Sequence, residues 1–566
     1  MYEELKATWS ELTAPGQLFE IETLQVRGSP MRVYKHAPAS LRDIWLGTAA
    51  YEDREYLIYQ DERHTYTRSH QLTASIAHWL SEQGVQPGDR VAIAMRNYPE
   101  WMLAYWAVVS MGAVVVGMNA WWVTQEMKFA LNDSTPKVLI ADRERIAQFL
   151  EIRDDFPEMK VVGVRLEGDL PENVVDWAEL VNSEPAMPDV TIDPDDDACI
   201  FYTSGTTGTP KGAQLTHRGC VSNLMNIGFG QAVQRDALNK AGLKSKGALA
   251  PDQINVALVA TPLFHVTGNN CVAQGIAATG GKVIHMYKWD AGEALRIVEE
   301  EKVTTFSAVP MMSREMMLHP DFATRDTSSL KSMGGGGAAV QPDLTRKMNE
   351  SMKNAAPSAG YGMTETCGII SAVSGVYLVD RPTSVGRAMP TFEAKCVDGQ
   401  GNAVPTGETG ELWVRGACVI KGYLNRPEAT ADTITDGWLH TGDIAYMDED
   451  EFIHLVDRAK EMVLRGGENV YCAEVESAIF DQDAVAECVV FGVEDERLGE
   501  EVAAAIYPKA GATVDVEQLR ATLKEKMASY KIPRYIWLVD APLPRNANGK
   551  FVKREVRDAL SLADAL

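Results

Sequence analysis

Short apolar runs bounded by turn residues or charges recur along most of the chain. Residues 91–94, 137–141, 199–202, 255–260 and 282–286 each have the length and texture of a buried strand. Stretches between them, such as 291–302, carry helical spacing. That alternation predicts large α/β layers with parallel strands. The run 101–123 carries no charge and is long enough to cross a bilayer. Pro99 and Glu100 read as a helix start, however, and Gly112 splits the run into a helical half and a Val-rich half. A buried helix feeding a buried strand is expected. The polar, Gly/Lys/Ala-rich stretch 234–252 reads as an exposed loop. Near residue 457 the texture changes, and the remaining residues carry their own αβ pattern. There Val516, Leu519, Leu523 and Met527 fall on one helix face. The expected division is 1–456 and 457–566.

The 566 residues allow three or four structural units. The charge of −25 argues against nucleic acid or an acidic membrane as a general partner. The eight cysteines include no CxxC pair, so reduced thiols in a cytoplasmic protein are expected. The first residues lack the basic-then-apolar order of a signal peptide. Residues 502–557 hold eleven Lys/Arg against five Asp/Glu, a basic lobe that either faces an anion or is simply solvated.

Four segments carry chemistry. In the first, Thr203, Ser204, Gly205, Thr206, Thr207 and Gly208 lead to Lys211 just after an apolar run. Small hydroxyl residues and glycines let backbone N–H groups converge on an anion, and Lys211 adds a point charge. The spacing does not fit the common nucleotide P-loop. In the second, Gly334, Gly335, Gly336, Gly337 and Ala338 precede Tyr361, Gly362, Met363, Thr364 and Glu365. Glycines permit close approach of a flat ligand, Tyr361 can stack on a purine, and Glu365 can hold Mg²⁺ beside phosphate. In the third, Asp443 can accept both hydroxyls of a ribose, and Arg458 and Lys460 follow it. In the fourth, the turn-rich segment 544–550 delivers Lys550. Read singly, each fits a turn, a cap or a surface charge as well.

In this order and spacing the motifs resemble those of the adenylate-forming superfamily of acyl-CoA synthetases, coumarate–CoA ligases, luciferase and peptide-synthetase adenylation domains. The resemblance runs from Asn97-Tyr98-Pro99-Glu100 to Lys550. It implies an α/β fold: a large multi-subdomain N-terminal domain with layered sheets and helices, and a small mobile α+β C-terminal domain. It also implies an acid–thiol ligase of the AMP-forming acyl-CoA synthetase type. By position, residues 203–211 would hold the ATP β/γ-phosphates. Gly335, Gly336, Gly337, Ala338, Tyr361 and Gly362 would line the adenine pocket. Thr364 would touch the α-phosphate and Glu365 would bind Mg²⁺. Asp443 and Arg458 would hold the ribose, Lys460 would be the hinge, and Lys550 would be the adenylation lysine. Gly466, Gly467 and Glu468 look like the loop bordering the CoA tunnel, with Arg465 a departure from the usual residue before the glycines. Expected partners are a small carboxylic acid, ATP and CoA, with no nucleic acid and no integral membrane, and with room for a homodimer.

Amino-acid-activating relatives carry Phe-Asp where this chain has Phe264-His265, so an amino-acid substrate is not expected. His265 resembles the gating residue of acyl- and aryl-CoA ligases; the plainer reading is a packed core histidine. Val309, Met311, Gly334, Met363 and Cys367 are the expected acyl-pocket walls, apolar and Met-rich. They suit a fatty or similarly lipophilic acid, with an aryl acid or a carrier-protein acceptor as alternatives.

Overall fold

The charge-free run forms the helix Pro99–Ser110, a turn at Gly112 with φ +74°, and the strand Val114–Gly117. Pro99 opens the helix at a position where no N–H is needed. Pro99 and every residue from Trp101 to Ser110 are buried, so an unbroken apolar sequence here means a helix enclosed on all sides. Each fully buried Trp, Leu, Met or Val side chain there contributes about 1.5–3 kcal/mol relative to exposure. No helix among the described residues is long and apolar enough to cross a membrane.

In this computed structural model all residues are described except Glu184, 204–209, Ser245, Pro251, Ala339, Gly467 and Asn548. A seven-stranded sheet centres on the parallel strands Asp197–Thr203, Val114–Gly117, Arg90–Ala94, Val138–Asp142 and Lys160–Val164. Lys211–Thr216 returns antiparallel at its edge. A second, larger sheet begins with the parallel strands Lys282–His285, Val256–Val259, Thr305–Ala308, Ser332–Gly336 and Ala356–Met363. From Gly368–Ser374 onward that sheet is antiparallel, although the helices Gly375–Asp380 and Pro427–Thr433 lie within two of its connections. The parallel expectation therefore holds only for its first half.

The helix His217–Lys240 runs past the expected loop start at 234. Phe229, Val233 and Ala237 continue one buried face at four-residue intervals, and Trp9 packs edge-on against Phe229 at 4.7 Å. The C-terminal sheet comprises Val463–Arg465, Glu468–Val470, Gly499–Pro508, Val485–Asp495 and Tyr535–Leu538. Phe452–Arg458 still belongs to the preceding large sheet. The helix Val516–Lys526 buries Leu519 and Leu523 against the small sheet's core. Much of the basic excess in 502–557 is spent on acids of the same unit: Lys526 pairs with Asp481, Lys531 with Glu474, and Lys553 with Glu461 and Glu476.

Candidate active site

The phosphate-loop candidate is held at its ends by the antiparallel pair Thr203 and Lys211. Ser204, Gly205, Thr206, Thr207 and Gly208 lie outside the described residues. The Lys211 ammonium sits 5.1 Å from the centre of the Tyr423 ring. The Tyr423 phenol in turn donates to Glu365 Oε1 at 2.7 Å. Glu365 stands on the turn Thr364–Thr366, where the strand Ala356–Met363 ends. That turn is fixed by Met363 N–H donating to Thr366 Oγ1 and by Ile420 N–H donating to the Glu365 carbonyl, at 3.1 and 2.9 Å. Tyr423 escaped the sequence reading, since nothing in its spacing links it to a residue 58 positions earlier.

The glycine run is the strand Ser332–Gly336, squeezed between Thr305–Ala308 and Ala356–Met363. At Gly334, with φ +150°, a Cβ would meet the Ser358 carbonyl oxygen at 2.0 Å. Glycine is demanded there by the neighbouring strand, so Gly334 is part of the sheet and not a pocket wall that a larger side chain could move. Gly337 differs. A Cβ there would lie 3.6 Å from Lys550 Cε and 3.7 Å from Val309 Cγ1, ordinary contact distances, so this glycine lies directly against the Lys550 side chain. Ala338 is exposed.

Asp443 is 6% exposed yet meets two partners, one from a distant strand and one directly across its own strand pair. The Tyr361 phenol donates to its Oδ2 at 2.6 Å, and Arg458 Nε lies 3.1 Å from Oδ1. Its own N–H donates to Thr441 Oγ1 at 3.1 Å. Burial pushes the Asp443 carboxyl above the usual carboxylate range, and Arg458 and Tyr361 pull it back. Burial and the adjacent carboxylate hold the Tyr361 phenol well above its ordinary value.

Lys550 reaches this site from the C-terminal unit. Its loop is closed by Asn546 N–H donating to the Lys550 carbonyl at 2.9 Å and Lys550 N–H donating to Asn546 Oδ1 at 3.1 Å. Burial and the Arg458 guanidinium lower its pKa; Asp443 and Glu365 oppose them. A desolvated ammonium within the field of two carboxylates is placed to meet an anion that enters between them.

His265 packs its ring against Phe264 with centroids 4.8 Å apart, and its Nε2 is buried with no hydrogen-bond partner. Burial, with Lys550 adding, lowers its pKa to about 3, so the imidazole is neutral at physiological pH. Beside it a cleft of about 240 Å³ opens between the two units, lined by Pro262, Phe264, Val309 and Met312 on one side and by Asn546 and Gly549 on the other. Arg96, Lys288 and Arg545 also line it. Met312, not Met311, is the methionine at this cleft: Met311 sits one position earlier on the helix Pro310–Leu318, on a different face. Cys367 is fully buried in the core, with φ +56°, its sulfur packed on Gly219. Met363 is part-buried beside Glu365.

Lys460 lies in the short segment joining Phe452–Arg458 to Val463–Arg465. Gly466, with φ +61°, donates its N–H to the Leu498 carbonyl at 2.7 Å, and Glu468 is exposed on the returning strand. Gly467 lies outside the described residues. Neither Gly466 nor Glu468 lines the cleft, whereas Arg545, Asn546 and Gly549 of the Lys550 loop do.

Residues 46–424 match the AMP-binding enzyme family, and residues 474–550 match the AMP-binding enzyme C-terminal domain. A feruloyl-CoA synthase of Amycolatopsis sp is 36% identical over 87% of this chain and 93% of its own. A long-chain-fatty-acid–CoA ligase of Bacillus subtilis is 30% identical over 91% of this chain and 94% of its own. The crystal structure of the anthranilate CoA ligase AuaEII in complex with anthranoyl-AMP superposes with a TM-score of 0.82 at 25% identity, over 92% of this chain and 98% of that one. The chain belongs to the AMP-binding enzyme family and has the two-domain α/β fold of the adenylate-forming superfamily. Within that superfamily it is an acid–thiol ligase of the AMP-forming kind.

Proposed function

We propose that this enzyme converts a lipophilic monocarboxylic acid to its CoA thioester through an acyl-adenylate, and that the site around Lys550 carries the first step. The observation that supports this most is the buried Lys550 ammonium, carried against Gly337 of the large domain and held in the field of Glu365 and Asp443. A carboxylate is a poor acyl donor because oxide leaves badly. Its oxygen attacks the α-phosphorus of ATP, the bond to pyrophosphate breaks, and AMP becomes the leaving group. Two anions must approach, and Lys550 offsets their charge while Asp443 holds the ribose hydroxyls. Thr203, Lys211 and the loop between them take the outer phosphates, and Thr364 takes the α-phosphate. Glu365 would hold Mg²⁺, which supplies further charge neutralisation on the phosphates; one carboxylate suits an ion that draws most of its ligands from phosphate and water.

In the second step the CoA thiol attacks the acyl carbonyl, loses its proton, and releases AMP. The cleft beside neutral His265 is the thiol's approach, and the cations Arg96 and Lys288 at its walls suit the phosphates of CoA. On this reading Lys550 serves the first step and Gly466, Gly467 and Glu468 the second, and a turn about Lys460 between 1–456 and 457–566 exchanges them. No acidic residue stands at position 265, so an ammonium-bearing acid would be buried without a counter-charge, at several kcal/mol. An aryl acid is the second reading, favoured by the similarity to a feruloyl-CoA synthase.

The test is an assay of acid, ATP, Mg²⁺ and CoA in which AMP, pyrophosphate and thioester are followed across alkyl and aryl acids. AMP and thioester in equal amounts support the reading. AMP that CoA does not stimulate would point to a carrier protein as acceptor, and no AMP from any acid would refute adenylation.

A further inference from the structure

The Lys550 loop is anchored by an ion-pair chain that crosses from one domain to the other. Arg545 closes the base of the loop, bridging to Phe551 and placing its guanidinium 5.1 Å from that ring's centre. Its Nη2 pairs with Glu487 of its own domain, on the strand Val485–Asp495. Its Nη1 donates to Glu315 Oε1 of the large domain at 2.9 Å. The other Glu315 oxygen accepts from Trp289 Nε1 at 2.5 Å, so the carboxylate is aimed before Arg545 arrives. Glu315 lies on the helix Pro310–Leu318, and Val309, just before that helix, touches the loop at Gly549.

From this chain we infer that Glu315 is a positioning residue for the adenylation half-reaction: it captures Arg545 when the C-terminal domain docks and thereby sets Lys550 at the site. The inference rests on the proposed two-step function. The asymmetry of burial gives the latch its direction. The Glu487 side chain is 8% exposed, and stripping Arg545 from it would strand a buried carboxylate. The Glu315 side chain is 33% exposed, so water can replace Arg545 there at small cost. Arg545 therefore travels with Glu487 and lets go of Glu315. A pair whose acid is a third exposed suits a contact that forms and breaks at each turnover. The neighbouring Arg314 stacks 4.8 Å over the Phe480 ring of the C-terminal domain while paired with Asp343, which places the docked face but holds no part of the Lys550 loop.

The test compares Glu315→Gln and Trp289→Phe with the unaltered enzyme in three measurements. Pyrophosphate release with acid and ATP is expected to fall about tenfold in Glu315→Gln and by less in Trp289→Phe. Thioester formation from supplied acyl-adenylate is expected to stay level or rise, since undocking becomes easier. Amide exchange at Asn546, Gly549 and Lys550 is expected to quicken, whatever the substrate. Equal loss in both half-reactions, no loss in the first, or unchanged exchange at those three amides would each overturn the latch. Absence of AMP formation by the unaltered enzyme would overturn the proposed function, and the exchange measurement would still decide the latch. Glu315→Asp is expected to recover part of the lost rate, which a purely structural helix position would not require.

Discussion

Tyr361 donates a 2.6 Å hydrogen bond to Asp443, although three strands of the large sheet separate the strands that carry them. The sheet curls enough to bring the strand Ala356–Met363, central in its order, against the strand Trp438–Met447 of its antiparallel half. The phenol orients a carboxylate whose burial would otherwise favour its protonated form.

Removing that phenol tests the arrangement. A hydrogen bond to a charged group contributes about 1.5–3 kcal/mol, and every 1.4 kcal/mol is about tenfold. Tyr361→Phe is expected to raise KM for ATP by about tenfold and to leave kcat within a few-fold. Steady-state kinetics in ATP check this; a loss confined to kcat would place Tyr361 in the chemical step.

Tyr423 plays the same part for Glu365. In Tyr423→Phe the carboxylate loses its 2.7 Å donor and its fixed direction. The Mg²⁺ concentration needed for half-maximal pyrophosphate release is expected to rise about five- to tenfold on the same hydrogen-bond scale, with the rate recovering at high Mg²⁺. A Mg²⁺ titration of both forms measures it; identical curves would remove Glu365 from the metal's surroundings.

The alternation of apolar runs sufficed for the parallel strands, the buried helix at 99–110 and the C-terminal helix, because each of those is decided by its own periodicity. The antiparallel half of the second sheet was not legible, since a strand's local pattern does not record the direction of its neighbour. In the site, residues inside contiguous motifs could be singled out from sequence: Glu365, Asp443, Arg458 and Lys550, of which Asp443 and Arg458 pair directly. Tyr423, Met312, Glu315 and Trp289 could not, because they act through contacts between segments far apart in sequence. Gly334 shows the same limit of a sequence. A glycine looks the same in sequence whether it makes room for a ligand or for the next strand.

That distinction gives a paired prediction. Gly334→Ala forces a Cβ into the Ser358 carbonyl and is expected to lower Tm by several degrees or abolish soluble expression, consistent with a cost above about 2 kcal/mol. Gly337→Ala meets only ordinary contacts, at φ +85°, and is expected to cost about 1–2 kcal/mol through that conformation. Its larger effect should fall on pyrophosphate release, through crowding of Lys550. Calorimetry and the half-reaction assay together check both. Equal Tm losses would show that the two glycines serve the same purpose.

Acid stability follows from buried neutral histidines. Burial lowers His265 and His285 to about 3, and His70 and His217 to about 4, against an unfolded value near 6.5. Between those values the unfolded chain binds the extra protons, so stability rises with pH through that window and is lost as pH falls from about 6.5 toward 4. Neither His285 nitrogen has a hydrogen-bond partner. His285→Leu is expected to reduce proton uptake on unfolding by about one at pH 5. Denaturant unfolding at several pH values measures that slope; an unchanged slope would mean that His285 is already protonated in the fold.

The alternation between two half-reactions stands or falls with Lys550. In Lys550→Ala the pyrophosphate-releasing step is expected to slow by about two orders of magnitude or more, since a charge is removed from beside the reacting phosphate. Thioester formation from purified acyl-adenylate and CoA should run at nearly the unaltered rate. Equal loss in both steps, or undiminished pyrophosphate release, would contradict the assignment of Lys550 and with it the two-faced use of the C-terminal domain.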